Sequence, residues 1–166
     1  MLLKPNIKLD GITDISVSLL KKYNINALLL DVDNTMSTHH GMVLTDGLME
    51  WIDTMQKNGI KLRVLSNSKE QRVKPFAEKI GLPFTSMGCK PLPGGFLRGV
   101  KALGEKRKNV AIVGDQIFTD ILGGNAVGLK SILLTPIKLE TTAGFRFKRW
   151  LERIVFKIYR IKTTKE

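Results

Sequence analysis

An alternation of short, uninterrupted apolar runs with segments of helical periodicity constrains this chain more than any other feature. Apolar runs at 27–32, at 60–65 ("IKLRVL"), in "FTSMG", in "NVAIVGD" and in "LKSILLT" read as strands. A helix over 13–23, begun by Thr13 or Asp14, precedes the first run. Between the runs, Thr45 or Asp46 caps a helix that Asn58-Gly59 stops after Lys57. A second spans 69–79 and ends at Gly81-Leu82-Pro83, a third covers about 94–103, and "IFTDILGGNAVG" reads as a fourth. Strands that keep alternating with helices form a parallel sheet clothed on both faces, so an α/β fold of three layers is expected. Sheets of this kind bind ligands beyond the carboxyl ends of their strands.

The chain is 166 residues long and 43% hydrophobic, which suffices for one compact core without disulfides. The single cysteine, Cys89, cannot form an internal bridge and reads as a packed or idle thiol in a reducing compartment. Thr141-Thr142-Ala143-Gly144 looks like a linker, dividing a domain over 1–143 from a basic helix over 144–166. The N-terminal stretch lacks the apolar segment of a signal peptide, and no uncharged apolar run approaches the roughly 18 residues of a spanning helix. A cytoplasmic location, including the inner face of the membrane, is the expectation.

At the ends of the expected strands the residue types change together. Asp31 and Asp33 follow the first strand, Ser66 and Asn67 the second, Lys90 the third, and Asp115 and Asp120 the fourth. One cleft holding four carboxylates, a hydroxyl and an ammonium makes little sense as packing, yet it suits a divalent cation beside a phosphate. Carboxylates so close need a cation to stay ionised, and an all-oxygen ligand set points to Mg²⁺. Asp31 could then attack phosphorus, while a tight turn lets Asp33 serve the same pocket as acid and base.

The motifs "LLLDVDNTM", "VLSNS", "CKP" and "VGDQIFTD" resemble, in order and spacing, those of haloacid dehalogenase (HAD) superfamily phosphatases. The resemblance implies a three-layer fold with strand order 5-4-1-2-3. It implies Asp31 as nucleophile and Mg²⁺ ligand, and Asp33 as general acid/base that also lends its backbone carbonyl to the metal. Thr35 would brace the loop. Ser66 and the Asn67 backbone amide would hold the transferring phosphoryl group, and Lys90 would neutralise it. Asp115 would bind the metal directly, with Asp120 supporting through water or Lys90. The acidic residue at position 33 favours phosphatases over dehalogenases, which lack it. Thr35 to Ser66 and Ser66 to Lys90 leave no room for a large cap, so an open site and a bulky substrate are expected. His39 and His40 read as solvated flap residues, since adjacent histidines diverge on most backbones. Gly123-Gly124 could approach a phosphate or allow close helix packing.

The net charge is +12, and the segment from Gly144 carries +6 of it. On a helical wheel Phe147, Trp150, Leu151, Ile154, Val155, Ile158 and Ile161 share one face, with Arg149, Arg153 and Arg160 opposite and Phe156 interrupting the polar side. Two readings fit: a helix lying in a membrane interface, or one docking its apolar face on the domain. Nucleic-acid binding through the same arginines is weaker, because no recognition motif accompanies them. The phrases "DVDNTM" and "GDQIFTDILGGNAVG", the opening "LLKPNIKLDGITDI" and the length resemble subfamily IIIA of the YqeG type, which is similar to phosphatidylglycerophosphate phosphatases. That resemblance implies an anionic phosphorylated lipid as substrate. A soluble sugar phosphate, nucleotide or phosphoprotein is the alternative with the same chemistry, and an RNA- or ribosome-associated assembly factor with little catalysis is the alternative of another class.

Overall fold

The computed structural model describes residues 1–38, 43–137 and 143–164, with 143–149 described by backbone alone. Six parallel strands form the central sheet: β1 (Ile7–Leu9), β2 (Ala27–Leu30), β5 (Lys61–Leu65), β6 (Phe84–Thr85), β7 (Val110–Gly114) and β8 (Lys130–Leu134). Their order is β1-β8-β7-β2-β5-β6. The five strands expected from the sequence take the order 5-4-1-2-3, and β1 adds a sixth beyond β8. A two-stranded antiparallel flap, β3 (Ser37–Thr38) with β4 (Val43–Leu44), follows β2. The helices are α1 (Val17–Lys22), α2 (Leu48–Lys57), α3 (Glu70–Ile80), α4 (Pro93–Leu103), α5 (Leu122–Ala126) and α6 (Ala143–Tyr159).

All four residues of β2 are buried because both faces of a parallel sheet are covered. Leu28 and Leu30 join Leu19 of α1, Trp51 and Met55 of α2, and Phe76 of α3 in one core layer. Ala27 and Leu29 alternate to the other face and meet Phe96 and Val100 of α4. Gly99 lets α4 come close there, since a Cβ would lie 2.7 Å from Leu29 Cδ2 and push that side chain aside.

Two helix starts differ from expectation. Ile12–Asp14 forms a separate 3₁₀ turn in which Asp14 Oδ2 accepts the Gly11 N–H at 2.8 Å, and α1 begins only after Ser16, whose Oγ accepts the Leu19 N–H at 3.0 Å. α2 follows Gly47 in a left-handed conformation, rather than being capped by Thr45 or Asp46.

The C-terminal helix packs on the domain. Val155 is buried with Ile117, Ile121 and Leu133, flanked by Phe156 and Tyr159. Glu152 is buried as well, and its Oε1 accepts the Ile117 N–H at 2.9 Å. Beyond the helix, Thr164 N donates to Lys8 O at 2.6 Å and Thr164 Oγ1 accepts from Lys8 N at 3.1 Å, which covers the open edge of β1. Among the described residues no helix is long and apolar enough to cross a membrane.

Candidate active site

The site grows from the ends of β2, β5 and β7. Asp31 is the first residue past β2, and its N–H donates to Val113 O at 2.9 Å, so the sheet ladder itself fixes where the carboxylate starts. The chain then turns sharply: Val32 O accepts the N–H groups of Met36 and Ser37 at 3.1 and 3.2 Å, and Asn34 adopts φ +58. This turn separates the two aspartates. Asp31 stays buried, whereas Asp33 points toward α3, where both of its carboxylate oxygens accept from Arg72 Nη2 at 3.1 and 3.0 Å. Arg72 Nη1 also donates to Ser68 Oγ at 3.0 Å, tying that pair to the loop after β5. The expected cluster of four carboxylates is therefore three plus one.

The three are Asp31, Asp115 and Asp120, all buried, with one oxygen of each within 4.8 Å of the others. Asp115 follows directly on β7. Asp120 sits on a π-helical turn over Ile117–Ile121, where the wider spiral swings its side chain back toward the strand. Gly114 makes that return possible, since any Cβ there would overlap the Asp120 carboxylate.

Lys90 lies between the two outer members. Its Nζ donates to Asp31 Oδ1 at 2.6 Å and to Asp120 Oδ1 at 2.7 Å, and its side chain is 4% exposed. Burial works against the ammonium, but the carboxylates of Asp120 and Asp31 outweigh it and hold Lys90 above its ordinary value. For Asp120 burial dominates over the attraction of Lys90, and Asp31 adds repulsion, so its carboxyl is pushed up from 3.8 to about 6.

The backbone of Lys90 is held by the Asn67 side chain, whose Oδ1 accepts the Lys90 N–H at 2.6 Å and whose Nδ2 donates to Lys90 O at 3.3 Å. Asn67 thus joins the β5 end to the loop after β6. Gly88 lets them approach, for a Cβ there would lie 3.1 Å from Ser66 O and 3.3 Å from Asn67 Oδ1. Ser66 is buried beside them, its Oγ accepting the Ser68 N–H at 3.1 Å.

These residues suit a divalent cation. Three buried carboxylates against one ammonium leave a formal charge of −2, with oxygen donors and little water to screen them. Asp31 and Asp115, with Asp120 behind them, are the side chains that could hold it.

Of the other expected residues, Thr35 is buried but its hydroxyl finds no hydrogen-bond partner among the described residues, so the turn is braced by Val32 O instead. Gly123 packs against the Phe96 ring and Pro91 O, and Gly124 against Ile112, which is close packing rather than phosphate contact. Cys89 is free and exposed, so it is not the packed thiol that the sequence also allowed. His39 and His40 lie outside the described residues. Sequence reasoning did not find Arg72, the side-chain role of Asn67, Gly114 or Glu152. Only Gly114 carried a signal, as the small residue preceding an aspartate.

With this geometry in hand, comparison with known proteins is decisive for the family: residues 24–128 match the haloacid dehalogenase-like hydrolase profile. The chain belongs to the haloacid dehalogenase-like hydrolases. It is 36% identical over 149 residues to "Probable phosphatase YqeG" of Bacillus subtilis (strain 168), covering 90% of this chain and 87% of that one. It is 24% identical over 142 residues to "Phosphatidylglycerophosphate phosphatase 1, chloroplastic/mitochondrial" of Arabidopsis thaliana, covering 80% of this chain and 41% of that protein. The fold resembles that of 3-deoxy-D-manno-octulosonate 8-phosphate phosphatase from Yersinia pestis, with a TM-score of 0.53, 17% identity, and coverage of 75% and 72% of the two chains. Like the sequence, the fold has no large cap: the flap and α2 fill the first insertion point and α3 the second, among the described residues.

Proposed function

We propose that this hydrolase is a Mg²⁺-dependent phosphomonoesterase working through an aspartyl-phosphate, and that its substrate is phosphatidylglycerophosphate. The observation carrying the chemistry is the Lys90 bridge, 2.6 Å from Asp31 and 2.7 Å from Asp120, inside a buried acidic triad. A carboxylate merely stabilising a fold needs no second and third acid beside it.

A magnesium ion held by Asp31 and Asp115, with the backbone carbonyl of Asp33, would supply the positive charge that lets a phosphate dianion approach. One Asp31 oxygen attacks phosphorus as the P–O bond to the alcohol breaks, and Asp33 gives its proton to the departing oxygen. Asp33 then takes a proton from water. That water breaks the Asp31–phosphorus bond, releasing inorganic phosphate and restoring the carboxylate. Ser66 Oγ, oriented by the Ser68 N–H, donates to the phosphoryl group together with the Asn67 amide, while Lys90 balances its charge. Arg72 holds Asp33 away from the acidic triad, on the side where a leaving group would sit.

The lack of a large cap among the described residues supports a bulky substrate. The likeness to a plant protein named for phosphatidylglycerophosphate supports that lipid as the ester. Phosphate release should be measured from phosphatidylglycerophosphate in vesicles, from sugar phosphates and from nucleotides, each with Mg²⁺ and with chelator. The lipid should turn over fastest, only with Mg²⁺, and Asp31→Asn should turn over nothing. Faster release from a soluble ester would overturn the lipid assignment. Mg²⁺-independent release, or an active Asp31→Asn variant, would overturn the mechanism.

A further inference from the structure

α6 uses only part of its circumference to hold the domain. Glu152 and Val155 are buried, with Phe156 and Tyr159 partly so. On the opposite side Trp150, Ile154 and Ile158 are 54%, 37% and 68% exposed. Their i, i+4, i+8 spacing aligns them in one ridge along the helix. Arg153 and Lys157 are exposed too, and the helical wheel sets both along one flank of that ridge, while Arg160, just past the end of the helix, is exposed as well. Over residues 150–159 the outward face of α6 is thus split lengthwise into an apolar half and a cationic half. The two sequence readings of this helix, docked or interfacial, are compatible because they use different sides of it.

We propose that this outward face seats the protein on an anionic lipid surface. The Trp150–Ile154–Ile158 ridge enters the boundary between headgroups and acyl chains, and the three cations meet lipid phosphates. Charge favours this occupant. A second copy would bring two cationic flanks together on chains of net charge +12. A nucleic acid would engage the cations but leave Ile154 and Ile158 in water. Location favours it as well. Glu152 binds the N–H of Ile117, two residues past Asp115, so α6 is anchored at the catalytic end of the sheet. Arg153 belongs both to the cationic flank and to the rim of a cavity of about 200 Å³ whose lining includes Asp115 and Phe156. The proposal stands on the exposure and charge of α6 and does not depend on the phosphatase reading.

The test uses the full chain with vesicles of phosphatidylcholine alone or mixed with phosphatidylglycerol, read by flotation and by tryptophan fluorescence. Trp51 is buried, with its Nε1 bonded to Ile15 O, so a change in emission reports Trp150. Expected are flotation with the anionic vesicles only, weakening as salt rises, a blue shift, and quenching by brominated acyl chains. The triple variant Trp150→Ser, Ile154→Ser and Ile158→Ser should bind at least roughly tenfold more weakly, as expected when the apolar contribution is lost. The same variant should keep its circular dichroism and its hydrolysis of p-nitrophenyl phosphate, because these side chains face solvent. A folded wild-type chain that ignores anionic vesicles, or binds neutral ones equally, overturns the proposal. So does ridge-dependent dimerisation in sedimentation, or salt-sensitive RNA binding, in either case without vesicle binding. Vesicle binding is read without turnover, so an inactive but floating protein would count against the hydrolase reading alone.

Discussion

Replacing Lys90 by methionine should expose how much charge the site stores. The ammonium makes contacts of 2.6 and 2.7 Å to Asp31 and Asp120, and neither its own side chain nor that of Asp120 has appreciable access to water. Methionine fills nearly the same volume, so no large cavity confuses the result. What remains is three clustered carboxylates without the cation that bridges two of them. Removing one partner of such a buried pair costs about 3–5 kcal/mol. For a chain of this size each kcal/mol moves the melting temperature by about 2–4 °C, so Lys90→Met should melt about 6–20 °C lower in the presence of chelator. Added Mg²⁺ should narrow the gap, since the more negative site gains more from a divalent cation; at a hundredfold excess over Kd, binding contributes about 2.7 kcal/mol. Thermal and urea unfolding followed by circular dichroism, with EDTA and with Mg²⁺, measures both effects. The double variant Lys90→Met with Asp120→Asn should recover part of the loss, because one unpaired charge goes with its partner. A Lys90→Met protein within about 0.5 kcal/mol of wild type in EDTA would refute the reasoning, since surface-like substitutions fall in that range.

Arg72→Ala should leave stability within about 1 kcal/mol, as its pair with Asp33 is partly exposed, yet lower kcat more than it changes KM; melting curves with steady-state kinetics check this. In chelator, stability should fall as pH rises from about 4 to about 6. Native Asp120, pushed up to about 6, keeps a proton there that the unfolded chain, near 3.8, has lost; urea midpoints across pH should show this slope and Mg²⁺ should flatten it. Gly114→Ala should displace the Asp120 carboxylate, costing roughly 1–3 kcal/mol as overpacking does and reducing turnover, read by unfolding and activity together. Glu152→Ala should strand the Ile117 N–H and loosen α6 at a cost of roughly 1–3 kcal/mol, seen as faster amide exchange at Ile117.

The strands were legible because a parallel strand buried on both faces must be apolar throughout, as Ala27–Leu30 and Val110–Gly114 are. Strand β1 was not, since three residues carry no measurable period and Ile7–Leu9 gains its pairing from β8, more than a hundred residues away. The start of α1 was misplaced because Asp14 uses its carboxylate on a local 3₁₀ turn, leaving the cap to Ser16. At the site, Asp31, Ser66, Asn67 and Asp115 were visible because they follow strands directly, whereas Arg72, inside α3, was not. What sequence spacing does not encode is direction. Two residues after Asp31 the turn has carried Asp33 across to Arg72, a partner 39 positions later, and out of the acidic triad. The wheel of the last helix likewise gathered Val155 and Ile158 on one face, although the domain covers the first and leaves the second in solvent.

Whether Asp31 becomes phosphorylated is answered most directly by acid-quenching the enzyme during turnover of a phosphate ester with Mg²⁺ and mapping the modified peptide by mass spectrometry. One added phosphoryl group on Asp31, absent from Asp31→Asn and discharged when turnover is allowed to finish, is the predicted result. Full turnover with no phosphorylated enzyme at any quench time, or a phosphoryl group on another residue, would contradict it.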